Sequence, residues 1–331
     1  MLSGDAAAVA IAGDPAGAVR DVATGFHRPE SVPRNGHQKS RRSLLVQLLS
    51  DLRKRCELTT GSTGPWECNL TVPAGFDAHR KDCLKEAAVE AGFVVAGWGE
   101  NPLSVARLWL RGGGVVPGAA LAVCDIGGTT TELSLLRFHE GRVSFDCNFP
   151  PTQLRMGGCD IDEALWELVS RGTTTTVAAT LAPELRRQLD GAKERMVAGR
   201  LPAEALSAGE CAVAVTQEMV RKSSVPLAAR LRDELDRFSR SLGETATGPI
   251  PLVLAGGGSL LPGLADAAGL AWSRGTVHPL QAAALAAVLG ALPPDAAEKV
   301  STATPSRPQA RLGPSRPQKQ SSDPFDSFKP D

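Results

Sequence analysis

The stretch Cys124-Asp125-Ile126-Gly127-Gly128-Thr129-Thr130-Thr131-Glu132 carries the most information in this chain. An apolar run, Leu121 to Cys124, leads into it and reads as a buried strand; Thr131 to Phe138 leads out of it and reads as another. A glycine pair between strands lets the backbone come close to a ligand and point its N–H groups at phosphate oxygens. The hydroxyls of Thr129 and Thr130 can add donors, and Asp125 is placed to hold a Mg²⁺-bound water. The turn is neither a Walker A loop, which needs GK[ST], nor a GxGxxG fingerprint. Alone it is no more than a tight turn.

Two further glycine turns change its weight. Leu254-Ala255-Gly256-Gly257-Gly258-Ser259 joins a buried strand (Pro251 to Ala255) to a helix expected from Leu261, and a helix start suits an anion or a sugar-phosphate edge. Gly157-Gly158-Cys159-Asp160 enters another expected helix. Three such turns in one order are far more specific than any one of them.

Around these turns the chain alternates strands and helices. Leu44, Leu45, Leu48, Leu49 and Leu52 recur at helical spacing ahead of Arg53-Lys54-Arg55. Cys68 to Val72 reads as a strand, Ala78 to Ala91 as a helix closed by Gly92, Phe93 to Ala96 as a strand and Pro102 to Leu110 as a helix. Thr131 to Phe138 and Val143 to Phe149 flank a hairpin turn. The residues from Asp160 to Leu242 are expected to be mostly helical, interrupted at Gly199 to Pro202, and a last helix is expected over Leu280 to Leu292. Residues 1–60 read as a partly disordered remnant in which Ala6 to Ala12 offers one strand. Residues 61–293 read as the core, with a helical subdomain at about 160–242. Residues 294–331, rich in proline and carrying PSRPQ twice, read as a disordered tail.

Composition sets outer limits. Of 331 residues, 42% are hydrophobic, and Lys+Arg equals Asp+Glu at 36 each, so bulk charge points to no polyanionic partner. The seven cysteines form no CxxC pair or zinc-ligand spacing and fit reduced thiols. The opening residues lack a basic n-region, and no window reaches the length of a membrane span, so a cytoplasmic location without membrane contact is expected. The sequon Asn69-Leu70-Thr71 is then expected to stay unmodified.

Read together, these motifs are similar to those of the 70-kDa heat-shock (DnaK-type) chaperones. Asp125 to Leu136 (DIGGTTTELSLL) resembles their second phosphate loop. Gly157 to Asp162 (GGCDID) resembles GGEDFD, and Val253 to Pro262 (VLAGGGSLLP) resembles the adenosine motif VLVGGSTRIP. Leu70 to Pro102 matches the run TVPAYF…Q…AG…EP. The resemblance spans about residues 66–292. It implies an α/β, actin-like ATPase (ribonuclease H-like) fold, mainly its second lobe with the first incomplete. It also implies a chaperone that assists protein folding, with ATP or ADP and Mg²⁺ as ligands. Gly127, Gly128, Thr129, Gly157, Gly158, Lys193, Gly256, Gly257, Gly258 and Ser259 would bind the nucleotide, and Asp125 and Thr130 would serve hydrolysis, Asp125 holding the metal through water.

Departures from the family pattern imply weak binding and reduced or absent hydrolysis. Met1 falls where the first aspartate belongs, and Ser3-Gly4-Asp5 where glycine and threonines belong. The subdomain that carries a catalytic lysine has no counterpart before Thr71. Asn101 occupies the position of a glutamate, with Glu100 one residue early. On the adenine side Asp190 and Lys193 match, but Glu194 and Leu260 each replace an arginine. Family partners would be a J-domain co-chaperone or, as in atypical members, the ribosome; Arg41-Arg42 and Arg53-Lys54-Arg55 would then touch its RNA. Two other readings stay open: a protein-interaction module that binds no nucleotide, and an incomplete product that does not fold alone.

Overall fold

A computed structural model describes residues 31–34, 37–114, 120–139, 142–172, 182–197, 199, 202–209, 211–243 and 248–280. The expected strand at Ala6 to Ala12, the helix at Leu280 to Leu292 and the proline-rich tail lie outside the described residues.

The described chain opens with a short hairpin, β1 (Ser31–Arg34) and β2 (His37–Ser40). Helix α1 (Arg41–Thr60) follows, with Ser40 as its N-cap accepting from the Ser43 N–H and Gly61 closing it in the left-handed conformation. The leucine repeat places Leu44 and Leu45 inward. Next comes a parallel pair, β3 (Trp66–Val72) and β4 (Phe93–Glu100), joined by α2 (Ala78–Glu90), which is capped by Asp77. Strand β4 runs four residues past its expected end at Ala96, because its whole length pairs with β3 as far as Val72–Glu100. One face of this pair packs on α1 and α2, through Phe93, Ala88, Leu49 and Leu52. On its other face Val94 and Trp98 are 50% and 40% exposed.

Helix α3 (Asn101–Arg111) carries the chain onto the main sheet. That sheet is built from β5 (Ala120–Ile126), β6 (Thr131–His139), β7 (Arg142–Phe145), β8 (Thr152–Leu154), β11 (Leu252–Ala255) and β12 (Val277–Pro279). Its order is β12-β11-β5-β6-β7, with β8 also on β6. Strands β12, β11 and β5 run parallel, and β6 is antiparallel to β5, β7 and β8. The four segments expected in one mixed sheet, from Leu121, Thr131, Val143 and Pro251, are all in it.

Alternation along β5 divides its side chains between two faces. Ala122, Cys124 and Ile126 enter a large cluster with Leu133, Leu231, Leu235 and Leu264, while Leu121 and Val123 meet Val105, Ala106 and Trp109 of α3. With both faces covered, the central strands read as continuous apolar runs.

Between β8 and β11 lie α4 (Gly158–Gly172), α5 (Ala182–Val197) and α6 (Gln217–Ser241). The stretch is not all helical. Residues Ala203–Ala208 (β9) and Cys211–Thr216 (β10) form an antiparallel hairpin. It is an alternating pattern that alanine disguises: Leu206, Ala208 and Val215 point into a separate cluster with Leu165, Leu185 and Leu189. The helix expected at Leu261 also starts later, as α7 (Leu264–Ala271), because Gly257–Leu260 forms a single 3₁₀ turn first. Among the described residues no helix is long and apolar enough to cross a membrane.

Candidate functional site

The three glycine turns converge at one end of the main sheet. Strand pairing starts this: Ala255 at the end of β11 lies beside Asp125 near the end of β5, so the turns that follow them are neighbours. The packing is backbone against backbone. Gly256, at φ 79°, sits so close to the Ile126 carbonyl and the Asp125 carboxylate that any Cβ there would overlap both. A Cβ on Gly157 would lie 2.6 Å from the Gly127 carbonyl and 2.7 Å from that of Gly128. Only glycine fits either position.

Each turn has a distinct task. The Gly127 N–H donates to the Thr130 carbonyl at 2.8 Å, closing the first turn on itself. Gly158 N–H and Cys159 N–H donate to Gly127 and Gly128 carbonyls at 3.0 and 2.7 Å, and Gly157 N–H donates to the Asp160 carboxylate at 2.7 Å. In the third glycine pair the Gly158 donor is thus engaged by the first turn and the Gly157 donor by Asp160 of its own turn. In the second turn Ser259 is buried, and its hydroxyl donates to the Gly256 carbonyl at 2.8 Å. The surfaces left open are at Gly128 and Gly257, both exposed, and at half-buried Thr129 and Thr130. Nothing lies within 4 Å of a Cβ built on Gly128.

Two carboxylates stand behind these turns. Asp125 and Glu132 are direct partners across the β5–β6 pair, an arrangement in which like charges repel. Burial raises the Asp125 pKa to about 6. Burial also raises that of Glu132, to about 7, against the lowering effect of a hydrogen bond from the Ala74 N–H. That bond is 2.8 Å long and spans 58 residues, tying β6 to the turn after β3. Glu132 is 5% exposed and is held by that distant turn, a contact the motif does not record.

The other expected residues are further out. Asn101 is the first residue of α3, and its buried Oδ1 has no hydrogen-bond partner. Its neighbour Glu100 pairs with Lys81 at 3.2 Å. Lys193, on α5, is engaged by Asp162 of α4 in a largely buried ion pair. Glu194 is exposed, and Leu260 is 45% exposed at the end of the second turn. In the basic segments of α1, Arg42 pairs with Glu90 at 2.9 Å and Arg53 with Glu57 at 2.6 Å. No group of three or more metal-ligating side chains occurs among the described residues.

This floor, with open amides beside an aspartate and two faces of packed sheet beneath it, accompanies a clear match to known proteins. The model of the Hsp70 protein family matches residues 30–221, more than half of the chain. The chain belongs to the Hsp70 family. A chaperone protein HscA homologue of Burkholderia mallei is 30% identical over 237 residues, which is 69% of this chain and 37% of that protein. One from Burkholderia pseudomallei is 29% identical over the same length, and one from Methylibium petroleiphilum is 30% identical over 258 residues, 74% of this chain and 40% of that protein. The chain thus spans about two fifths of the length of these curated relatives. The mixed α/β architecture agrees with the actin-like ATPase fold implied by the Hsp70 family.

Proposed function

We propose that this Hsp70-family chain is a nucleotide-binding module of a chaperone. It would hold ATP or ADP with Mg²⁺ between Gly127–Thr130 and Gly256–Ser259 and turn it over slowly or not at all. The observation that carries the reading is the convergence of the turns: their glycines are required by contact with each other, while Gly128 and Gly257 remain free to face a ligand. The groups present fit a magnesium phosphate. Open amides and threonine hydroxyls suit the oxygens, and Asp125 suits a hydrated cation, whose charge would keep it ionised. Lys193 would reach the adenosine only by leaving Asp162. A base would find Leu260 and Glu194 in place of two arginines, which supports weak affinity.

Slow turnover rests on Asn101. A carboxamide cannot take a proton near neutral pH, so a general base is missing where the family resemblance places one. The actin-like second lobe would be the main sheet with the α4–α6 unit as its outer subdomain. The β3–β4 unit would be the part of the first lobe that lies against it. A J-domain co-chaperone is the proposed partner class. Of the basic residues that would touch ribosomal RNA, Arg42 and Arg53 are engaged with glutamates.

Single-turnover hydrolysis of radiolabelled ATP tests this reading. The wild-type chain is expected to bind but scarcely hydrolyse, and Asn101→Glu to raise the rate by about tenfold or more. A fast wild-type rate abolished by Asp125→Asn would overturn the slow-turnover claim.

A further inference from the structure

Phosphate groups gather positive charge, yet the proposed site is lined by acids. Asp125 and Glu132 stand behind the first turn, Lys193 is held by Asp162 and Lys81 by Glu100. Across the three turns and their flanks, residues 125–132, 152–162 and 252–263, the sequence contains one Lys or Arg, Arg155.

Its position follows from pairing. On β8, Gln153 lies opposite Glu132 and Leu154 opposite Thr131. Arg155 is the next residue, at a bend one step past the strand, and follows Leu154, which packs against the core. The following residues are laid along the first turn: the Thr131 hydroxyl donates to the Met156 carbonyl at 2.9 Å, and Gly158 and Cys159 donate to Gly127 and Gly128. The Arg155 backbone is also held, its carbonyl accepting from the Arg230 guanidinium at 3.2 Å. Its side chain is exposed and forms no ion pair among the described residues.

We propose that Arg155 is the phosphate-binding cation of this site, reaching over the first glycine turn to the outer phosphates of the bound nucleotide. The inference rests on the nucleotide-binding reading. A planar guanidinium can donate two parallel hydrogen bonds to a phosphate, and pairing with an anion would cost no existing salt bridge. The neighbouring Arg230 guanidinium lies 3.9 Å from the Asp160 carboxylate, so Arg155 would supply, from the β8–α4 turn, the cation that no ion pair already holds.

The test is titration calorimetry of the full chain with Mg-ATP and, separately, adenosine, for wild type, Arg155→Ala and Arg155→Lys. Arg155→Ala is expected to weaken ATP binding about tenfold or more while changing adenosine binding less than about twofold, with Arg155→Lys in between. Unchanged ATP affinity in Arg155→Ala, or equal weakening for ATP and adenosine, would overturn the role of Arg155 and leave the nucleotide reading standing. A wild-type chain that binds neither ligand would remove the nucleotide reading and this inference with it.

Discussion

The glycine-turn end of the main sheet and the β3–β4 pair are built on opposite terms. At the turns, three backbone segments touch through glycines, hydrogen bonds of 3.0 and 2.7 Å join the third turn to the first, and apolar residues fill both faces of the sheet below. In the β3–β4 unit, two parallel strands are covered on one face by α1 and α2, while the other carries exposed Val94 and Trp98. Parallel strands are normally covered on both faces. The contrast teaches that the proposed phosphate floor is fixed by its own packing. The wall beside it is held to that floor through α3 and the Glu132–Ala74 bond.

The largest effect should come from breaking the floor. Gly256→Ala places a Cβ on the Ile126 carbonyl and the Asp125 carboxylate at a left-handed φ. A loss of about 3 kcal/mol or more is expected in urea unfolding. A loss below about 1 kcal/mol would mean the turns are not locked together as described.

The link between the regions comes next. Burial raises the pKa of Glu132 to about 7, so the folded chain holds a proton there that the unfolded chain gives up near the ordinary glutamate value. Its contribution is complete below about pH 4.5 and is lost as pH rises through about 7. Glu132→Gln removes this penalty and should stabilise the ligand-free chain at pH 8 by on the order of 2 kcal/mol, with little gain at pH 5. Unfolding curves at the two pH values check it; an equal effect at both would show that ionisation is not the cause.

On the bare face, Trp98→Thr should change stability by less than about 1 kcal/mol. Phe93→Ala, on the covered face of the same strand, should cost about 3 kcal/mol or more. Equal losses in the same denaturation assay would mean that both faces are packed.

Much of this was legible in the sequence because the signals were local. Gly-Gly turns mark strand ends, the leucine repeat marks α1, and Gly92 closes α2. The β9–β10 hairpin was not legible: EALSA and CAVAV are alanine-rich and short, and only their packing against Leu165 and Leu189 selects strands. Glu132 and Arg155 were missed for a different reason. One accepts a hydrogen bond from a turn 58 residues away, and the other lies just past a short strand that pairs with β6, and no motif records either. The hydrogen bonds made by the Gly157 and Gly158 amides were not legible either, since sequence does not record which donors are engaged.

The central claim is that the open glycine turns bind the phosphates. Titration of a fluorescent Mg-ATP analogue into wild type and Gly128→Asp addresses it most directly, because that position has room for a side chain and the added carboxylate would face the anion. Measurable wild-type binding that Gly128→Asp abolishes, with the unfolding transition unchanged, is the expected result. Binding of equal strength in both proteins would contradict it.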